Sequence, residues 1–268
     1  MTAATPTTEA AMDTERKVDV VASSVDLRFG DCLDLLPAIP DQSVDMILAD
    51  LPYGTTRNKW DCQIDLQRLW PEYMRVCRGA IVLTAQSPFD KVLGASNLPM
   101  LRYEWIWEKT NATGHMNAKK CPMKAHENVL VFYKHLRTYN PQKTTGHVRK
   151  TATADRSRLQ SDNYGRQDGV TVYDSTERYP RSVITFPSDK QRSKLHPTQK
   201  PLSLMSYFVL TYTNPGDTVL DNCYGSGTVG VSCVELGRNF IGMEKDPEHF
   251  CTGAHRINAA LSRLGVSV

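Results

Sequence analysis

Four consecutive residues, Asp50-Leu51-Pro52-Tyr53, end the short apolar run SVDMILAD at residues 43–50. Together they set a carboxylate, a backbone carbonyl held before a proline, and an aromatic ring side by side. Such a set can hold and activate an amine carried on an aromatic ring. The lone pair of that amine is delocalised into its ring, so the nitrogen is a poor nucleophile. Two acceptors bonded to its two hydrogens would steer the nitrogen toward sp³ and aim the lone pair at an electrophile. Asp50 can give one acceptor and the Leu51 carbonyl the other, because the residue before a proline is biased toward the extended conformation. Tyr53 then offers a π-face on which the ring can stack. No side-chain nucleophile is required.

A second constellation lies near the C-terminus. Asp221 ends a short strand and is followed by Asn222-Cys223-Tyr224-Gly225-Ser226-Gly227-Thr228 and then a helical pattern. Glycines allow a sharp turn and close approach of a ligand, and the helix start offers unpaired N–H groups. Glu244 closes the next strand, where an acidic side chain can accept bonds from both hydroxyls of a ribose. The pair describes a nucleoside site. Residues 225–230 also fit the G-x-G-x-x-G dinucleotide pattern, so the loop alone leaves open an NAD-type reading and a plain glycine turn. Against the dinucleotide stand Asp221 at the strand end and the lack of a recognisable dehydrogenase acid/base set.

The elements that must position these groups follow from apolar periodicity. Residues 44–50 and 80–86 are apolar runs with polar bounds, the pattern of parallel strands covered on both faces. Between them Leu66, Leu69, Trp70, Tyr73, Met74 and Cys77 recur at helical spacing and predict a crossover helix. The pattern returns as a helix over 201–212, strand 218–221, helix 229–236 stopped by Gly237, strand 240–244 and helix 247–264. This alternation predicts an α/β fold with a doubly wound, mostly parallel sheet, whose C-terminal strand ends carry both Asp50 and Asp221. A short strand is expected at 25–29, and strands at 101–107 and 128–133 are expected to form an antiparallel edge. Residues 1–22, rich in Thr and Ala, read as a disordered tail. Residues 135–194, rich in Thr, Ser, Arg and Lys, read as a long loop or small insertion outside the core.

These stretches, in this order, resemble the S-adenosylmethionine-dependent amino-methyltransferases of DNA. Their catalytic motif is (D/N/S)-P-P-(Y/F/W) and their cofactor motif commonly D-P-F-x-G-S-G-T. Catalytic motif first and cofactor loop last is the order of the circularly permuted β group. Gly30-Asp31-Cys32-Leu33 resembles the segment that contacts the cofactor's adenine. His196-Pro197-Thr198-Gln199-Lys200-Pro201 resembles the motif that wraps its methionine end. His126-Glu127-Asn128 opens a stretch similar to the strand beside the base pocket, although a histidine that caps its own strand is the expectation for His126 itself.

The resemblance implies a Rossmann-like methyltransferase fold with a seven-stranded sheet over residues 23–268, interrupted by a recognition region at 111–190. It implies catalysis by Asp50, Leu51, Pro52 and Tyr53. It places the cofactor on Asp31, Cys32, Asp50, His196, Thr198, Lys200, Asp221, Cys223, Gly225, Ser226, Gly227, Thr228, Glu244 and Lys245. The chain departs from the pattern at Leu51, where the family has Pro, and at Asn222-Cys223, where it has Pro-Phe. Asp at the first catalytic position implies N6 of a flipped adenine as target. Methylation of the cytosine amine or of RNA by the same site, and a DNA-binding homologue without turnover, are the alternatives. A cytosine carbon-5 enzyme would need a Pro-Cys nucleophile, and Cys121-Pro122 has the reverse order.

Charge is consistent with a polyanionic partner. The net charge is only +3, but residues 109–200 hold 18 Lys and Arg against 7 Asp and Glu, and the remainder holds 14 against 22. Concentrated basic charge suits double-stranded DNA, since each neutralised phosphate releases counterions. Lys119, Lys120, Lys124, Arg149 and Lys150 are the candidate contacts, with Arg156 and Arg158 behind them. Trp60 either meets DNA or the target base, or anchors its loop on the core. The seven cysteines form no C-x-x-C pair and the histidines no ligand spacing, so no metal is expected. No apolar run reaches the ~20 residues of a membrane helix, and the first residues lack a secretory apolar core, so a cytosolic protein is expected. A homodimer is left open.

Overall fold

The computed structural model describes residues 23–54, 62–155, 160–161, 165–166, 169–187 and 199–265. The expected tail, Trp60, Arg156, Arg158, His196 and Thr198 lie outside the described residues.

Apolar runs become the strands β1 (Val25–Phe29), β2 (Val44–Ala49), β3 (Cys77–Ala85), β4 (Leu101–Thr113) and β5 (Lys124–Phe132). Four short strands follow, β6 (Lys150–Asp155), β7 (Gln160–Ser161), β8 (Gly165–Arg166) and β9 (Val170–Ser175), then β10 (Val183–Phe186), β11 (Thr218–Asp221) and β12 (Asn239–Glu244). The helices are α1 (Cys32–Leu35), α2 (Leu66–Val76), α3 (Phe89–Ser96), α4 (Leu202–Tyr212), α5 (Thr228–Glu235) and α6 (Pro247–Arg263). The main sheet runs β1-β12-β11-β2-β3-β5-β4-β10. Every neighbouring pair is parallel except the two made by β5.

Both faces of the sheet are covered. Side chains of α1, the turn after it, α2 and α3, among them Leu36, Leu69, Tyr73, Phe89 and Leu93, pack on one face. Side chains of α4, α5 and α6, among them Leu204, Phe208, Val231 and Ile257, pack on the other. This is why the central strands read as unbroken apolar runs. From β2 the chain moves outward to β3, and from β11 it moves the opposite way to β12. The β2/β11 pair is therefore the topological switch point, where open α/β sheets bind ligands beyond their strand ends.

The sheet has eight strands, one more than expected. The addition is β10, inside the stretch read as loop. Val183-Ile184-Thr185-Phe186 alternates, its Ile184 and Phe186 pack on the core, and it pairs with β4. The antiparallel pair β4/β5 is thus not the edge, because β10 covers it. Residues 111–190 also include the whole of β5, a strand of the main sheet, so they are not one insertion. What lies off the sheet is the β6/β9 and β7/β8 pairings and their connections. Among the described residues no helix is long and apolar enough to cross a membrane.

One close approach fixes the register of the two central strands. The β2/β3 pairing is irregular between Val44 and Met46, and a Cβ on Gly79 would sit 1.9 Å from the Asp45 carbonyl oxygen. Gly79→Ala is expected to part these strands at a cost of about 2–4 kcal/mol, read as a lower denaturation midpoint. An unchanged midpoint would show the register to be looser than described.

Candidate active site

β2 delivers Asp50 and Leu51 to the switch point. Leu51 is 2% exposed and its side chain fills the apolar layer under α2, which explains how an aliphatic residue substitutes for a proline here. The Tyr53 ring stacks on Phe89 with centroids 5.3 Å apart, and its hydroxyl donates to Asp50 Oδ1 at 2.7 Å. Thr84 at the end of β3 donates to the same oxygen, and Lys200 Nζ lies 2.7 Å from Asp50 Oδ2. Lys200 also lies 3.2 Å from Glu127 Oε2, while Lys109 Nζ holds Glu127 Oε1 at 2.6 Å. Two carboxylates and two ammonium groups therefore alternate along one buried line.

Burial opposes the charges of Lys200 and Glu127, and their partners decide the outcome. Desolvation works against the Lys200 ammonium, yet Asp50 and Glu127 hold its pKa well above the ordinary value. Desolvation likewise pushes Glu127 up, but Lys200 and Lys109 bring it below the usual carboxylate value. The Tyr53 hydroxyl is pushed up by burial and by Asp50, so it stays a donor.

The other half of the site hangs on β11 and β12. Asp221 is 3% exposed and accepts from the Cys223 amide at 3.0 Å. Glu244 accepts from the Gly225 amide at 3.0 Å through Oε2 and from the Asp246 amide at 2.8 Å through Oε1. Both its oxygens are aimed by backbone and keep lone pairs for a diol. Gly225 and Gly227 have φ of +50° and +75°. A Cβ on Gly227 would meet the Gly253 carbonyl oxygen at 2.9 Å, so this glycine lets α5 and α6 close behind the loop and does not itself border the cleft. Asp31 caps α1 by accepting from the Leu33 amide at 3.0 Å.

The Asn222-Cys223 departure builds its own contacts. The Tyr73 hydroxyl donates to Asn222 Oδ1 at 2.5 Å, which turns the amide nitrogen toward the sulfurs of Cys32 (3.4 Å) and Cys223 (3.6 Å). A polar strut thus replaces a Pro-Phe wall.

The two halves share one cleft of about 250 Å³. Along it lie Asp31, Cys32, Asp50, Leu51, Pro52, Tyr53, Lys200, Asp221, Cys223, Gly225, Ser226, Thr228, Glu244 and Lys245 from the sequence reading. Glu127 and Gln199, from two of the resembling motifs, line it too, as do Trp107, Lys109 and His249, which the sequence does not single out. Glu127 and Lys109 had a faint signal, each a charged residue at the end of an otherwise apolar or alternating strand; Thr84, inside an apolar run, had none. Lys200 was grouped with the methionine end, but its ammonium sits on the catalytic tetrapeptide. His126 is exposed within β5 opposite Glu108 and does not cap the strand.

Of the basic candidates, Lys124 Nζ donates to Gln86 Oε1 on the cleft rim at 2.9 Å. Lys119 and Lys120 are exposed in the connection between β4 and β5. Arg149 is held in a two-point pair with Asp174 across the β6/β9 hairpin, at 2.7 and 2.6 Å, and Lys150 beside it is exposed.

The doubly wound sheet, the acidic, glycine-bearing loop after β11 and the Asp50–Tyr53 tetrapeptide on one cleft are the features of a methyltransferase. Residues 97–254, more than half of the chain, match the family model for DNA methylases acting at N6 or N4 amines. The chain belongs to that family. It is 28% identical over 256 residues to the DNA adenine methyltransferase YhdJ of Escherichia coli (strain K12), covering 86% of this chain and 82% of that one. It is 26% identical over 263 residues to the type II methyltransferase M.HinfI of Haemophilus influenzae, covering 85% and 67%. Its fold is similar to that of M1.HpyAVI in complex with SAM, with a TM-score of 0.57, 24% identity, and coverage of 87% of this chain and 99% of that one.

Two outcomes follow from the cofactor half. Burial raises the Asp221 pKa well above the ordinary value, helped by Asp50 and Glu244 and opposed by the Cys223 amide. The native carboxyl then keeps its proton to higher pH than the unfolded one, so stability falls as pH rises through the native value. Asp221→Asn is expected to flatten the fall that sets in above the ordinary aspartate value of about pH 4 in cofactor-free protein, measured by denaturant titration. An unchanged slope would place the titration elsewhere. Separately, Asn222→Leu strands the buried Tyr73 hydroxyl and should cost about 1–3 kcal/mol, with Tyr73→Phe added to it recovering part. Strict additivity of the two changes would deny the contact.

Proposed function

We propose that the protein transfers a methyl group from S-adenosylmethionine to the N6 amine of an adenine turned out of double-stranded DNA. The observation that carries this reading is the single cleft shared by the Asp50–Tyr53 tetrapeptide and the Asp221–Glu244 cradle.

The cradle suits the cofactor. Glu244 has aimed oxygens for the ribose diol, Asp31 and Cys32 stand where the adenine ring would lie, and Asp221 is a buried carboxyl whose raised pKa a cationic ligand would relieve. Cys223, Gly225, Ser226, Thr228 and Lys245 would complete the wall, with Gly227 shaping the loop from behind. His196 and Thr198 would close the methionine end on family resemblance. When bound, the cofactor supplies a methyl group made electrophilic by its sulfonium.

The remaining steps belong to the chain. An adenine amine is inaccessible inside a duplex, so the base must leave the stack, at a cost of a few kcal/mol. Stacking on Tyr53 and phosphate contacts offset that cost. Asp50 and the Leu51 carbonyl take the two amine hydrogens, and Pro52 keeps that carbonyl extended. Lys124 on the cleft rim, Lys119 and Lys120 in the exposed connection between β4 and β5, and Lys150 and Arg149 at the β6/β9 pair are the phosphate-facing groups. The off-sheet segments between β5 and β10 form the recognition region. Adenine as target is supported by Asp at the head of the tetrapeptide and by the name of the E. coli relative.

Asp50→Ala removes the first acceptor and should lower methyl incorporation into unmethylated genomic DNA by about 100-fold or more, the usual scale for losing one preorganised polar contact at a reacting centre. Calorimetry should show cofactor affinity altered by no more than a few fold. Incorporation at the unmutated rate would contradict the assignment.

A further inference from the structure

The Lys200 ammonium stands between two carboxylates that are unequally satisfied. Asp50 is hydrogen-bonded at both oxygens: Oδ2 accepts from Lys200 at 2.7 Å, and Oδ1 accepts from both Tyr53 and Thr84. Glu127 is not. Its Oε1 is clamped by Lys109, while Oε2 is buried, faces Lys200 at 3.2 Å, and has no hydrogen-bond partner among the described residues. A buried acceptor without a donor is costly, and structures that retain one usually put it to use. Glu127 reaches this edge only because β5 runs against both its neighbours, which brings the start of that strand beside the ends of β3 and β4.

We infer that Glu127 is a positioning residue that provides a second seat for the Lys200 ammonium, which leaves Asp50 when the target amine arrives. This rests on the proposed function and deepens it. The amine and Lys200 are both donors, and they compete for the Asp50 carboxylate. The competition is also electrostatic. As the target nitrogen bonds to the methyl carbon, the carbon–sulfur bond breaks with its pair left on sulfur, and positive charge passes to the nitrogen. An ammonium on the carboxylate that grips that nitrogen opposes this transfer. On Glu127 Oε2 the same ammonium is neutralised, completes the unfilled acceptor, and frees Asp50 to receive the proton that the methylated nitrogen must lose. Lys109 anchors the seat: its ammonium lies 5.3 Å from the centre of the Trp107 ring and stays on Oε1, so Glu127 can accept Lys200 without moving.

The test is single-turnover transfer of labelled methyl from S-adenosylmethionine to unmethylated genomic DNA by the wild type, E127Q, K200M and E127Q/K200M, with melting temperature and the KM for both substrates measured in parallel. E127Q keeps the shape but removes the seat, so the chemical step should slow by about tenfold or more while each KM stays within about threefold. K200M removes the competitor, so adding E127Q to it should change the rate by less than about twofold. Glu127→Asp draws the carboxylate back by one carbon and serves where the Gln variant does not fold, with an expected loss of about three- to tenfold. E127Q at the wild-type rate, or a double variant that carries the full loss of E127Q on top of that of K200M, overturns the inference. A wild type that transfers no methyl defeats the functional reading itself, which separates the two failures.

Discussion

Parallel pairing of β2 with β11 at the centre of the sheet is the constraint on which the rest of the molecule depends. It brings the ends of two strands that are far apart in the chain to one crevice, and each ends in an aspartate. Asp50 comes from one strand and Asp221 from the other. The arrangement is electrostatically expensive: burial and the neighbouring charges of Asp50 and Glu244 disfavour the Asp221 carboxylate, whose pKa lies well above the ordinary value. Everything around the cleft can be understood as a means of tolerating those charges while keeping them usable.

The two halves use different means. On the cofactor side the compensation is backbone: the Cys223 amide faces Asp221, and the Gly225 and Asp246 amides face Glu244. Fixed dipoles leave room for a ligand to bring the positive charge. On the target side the compensation is ionic, through Lys200 and Lys109, with Glu127 between them. Removing one member of such a buried line leaves an uncompensated charge, which costs more than the intact pair contributes. That asymmetry fits the division of labour in the proposed reaction, where a cation must enter one half and a neutral base the other.

Much of this is legible in the amino-acid sequence, for reasons that also explain what is not. Strands such as Val44–Ala49 and Cys77–Ala85, covered on both faces, leave continuous apolar runs, and the loop from Asp221 to Thr228 carries its glycines and acids within a few residues. Local chemistry leaves local signals. β10 is four residues in a polar stretch, and what makes it a strand is a partner far back in the chain at Ile106 to Lys109. The ion pair of Lys200 with Asp50 spans 150 positions, so spacing cannot place that ammonium beside the tetrapeptide. Arg149 shows the converse: it reads as a phosphate contact from charge, yet it is already paired with Asp174 across a hairpin that periodicity did not reveal.

The central claim is that this cleft methylates the adenine amine of DNA. It is tested most directly by incubating the purified protein with unmethylated DNA and S-adenosylmethionine carrying an isotopically heavy methyl, then digesting the DNA to nucleosides for mass spectrometry. The account predicts heavy label in N6-methyladenine. Label confined to N4-methylcytosine, or absent from every nucleoside while the cofactor is bound, would contradict it.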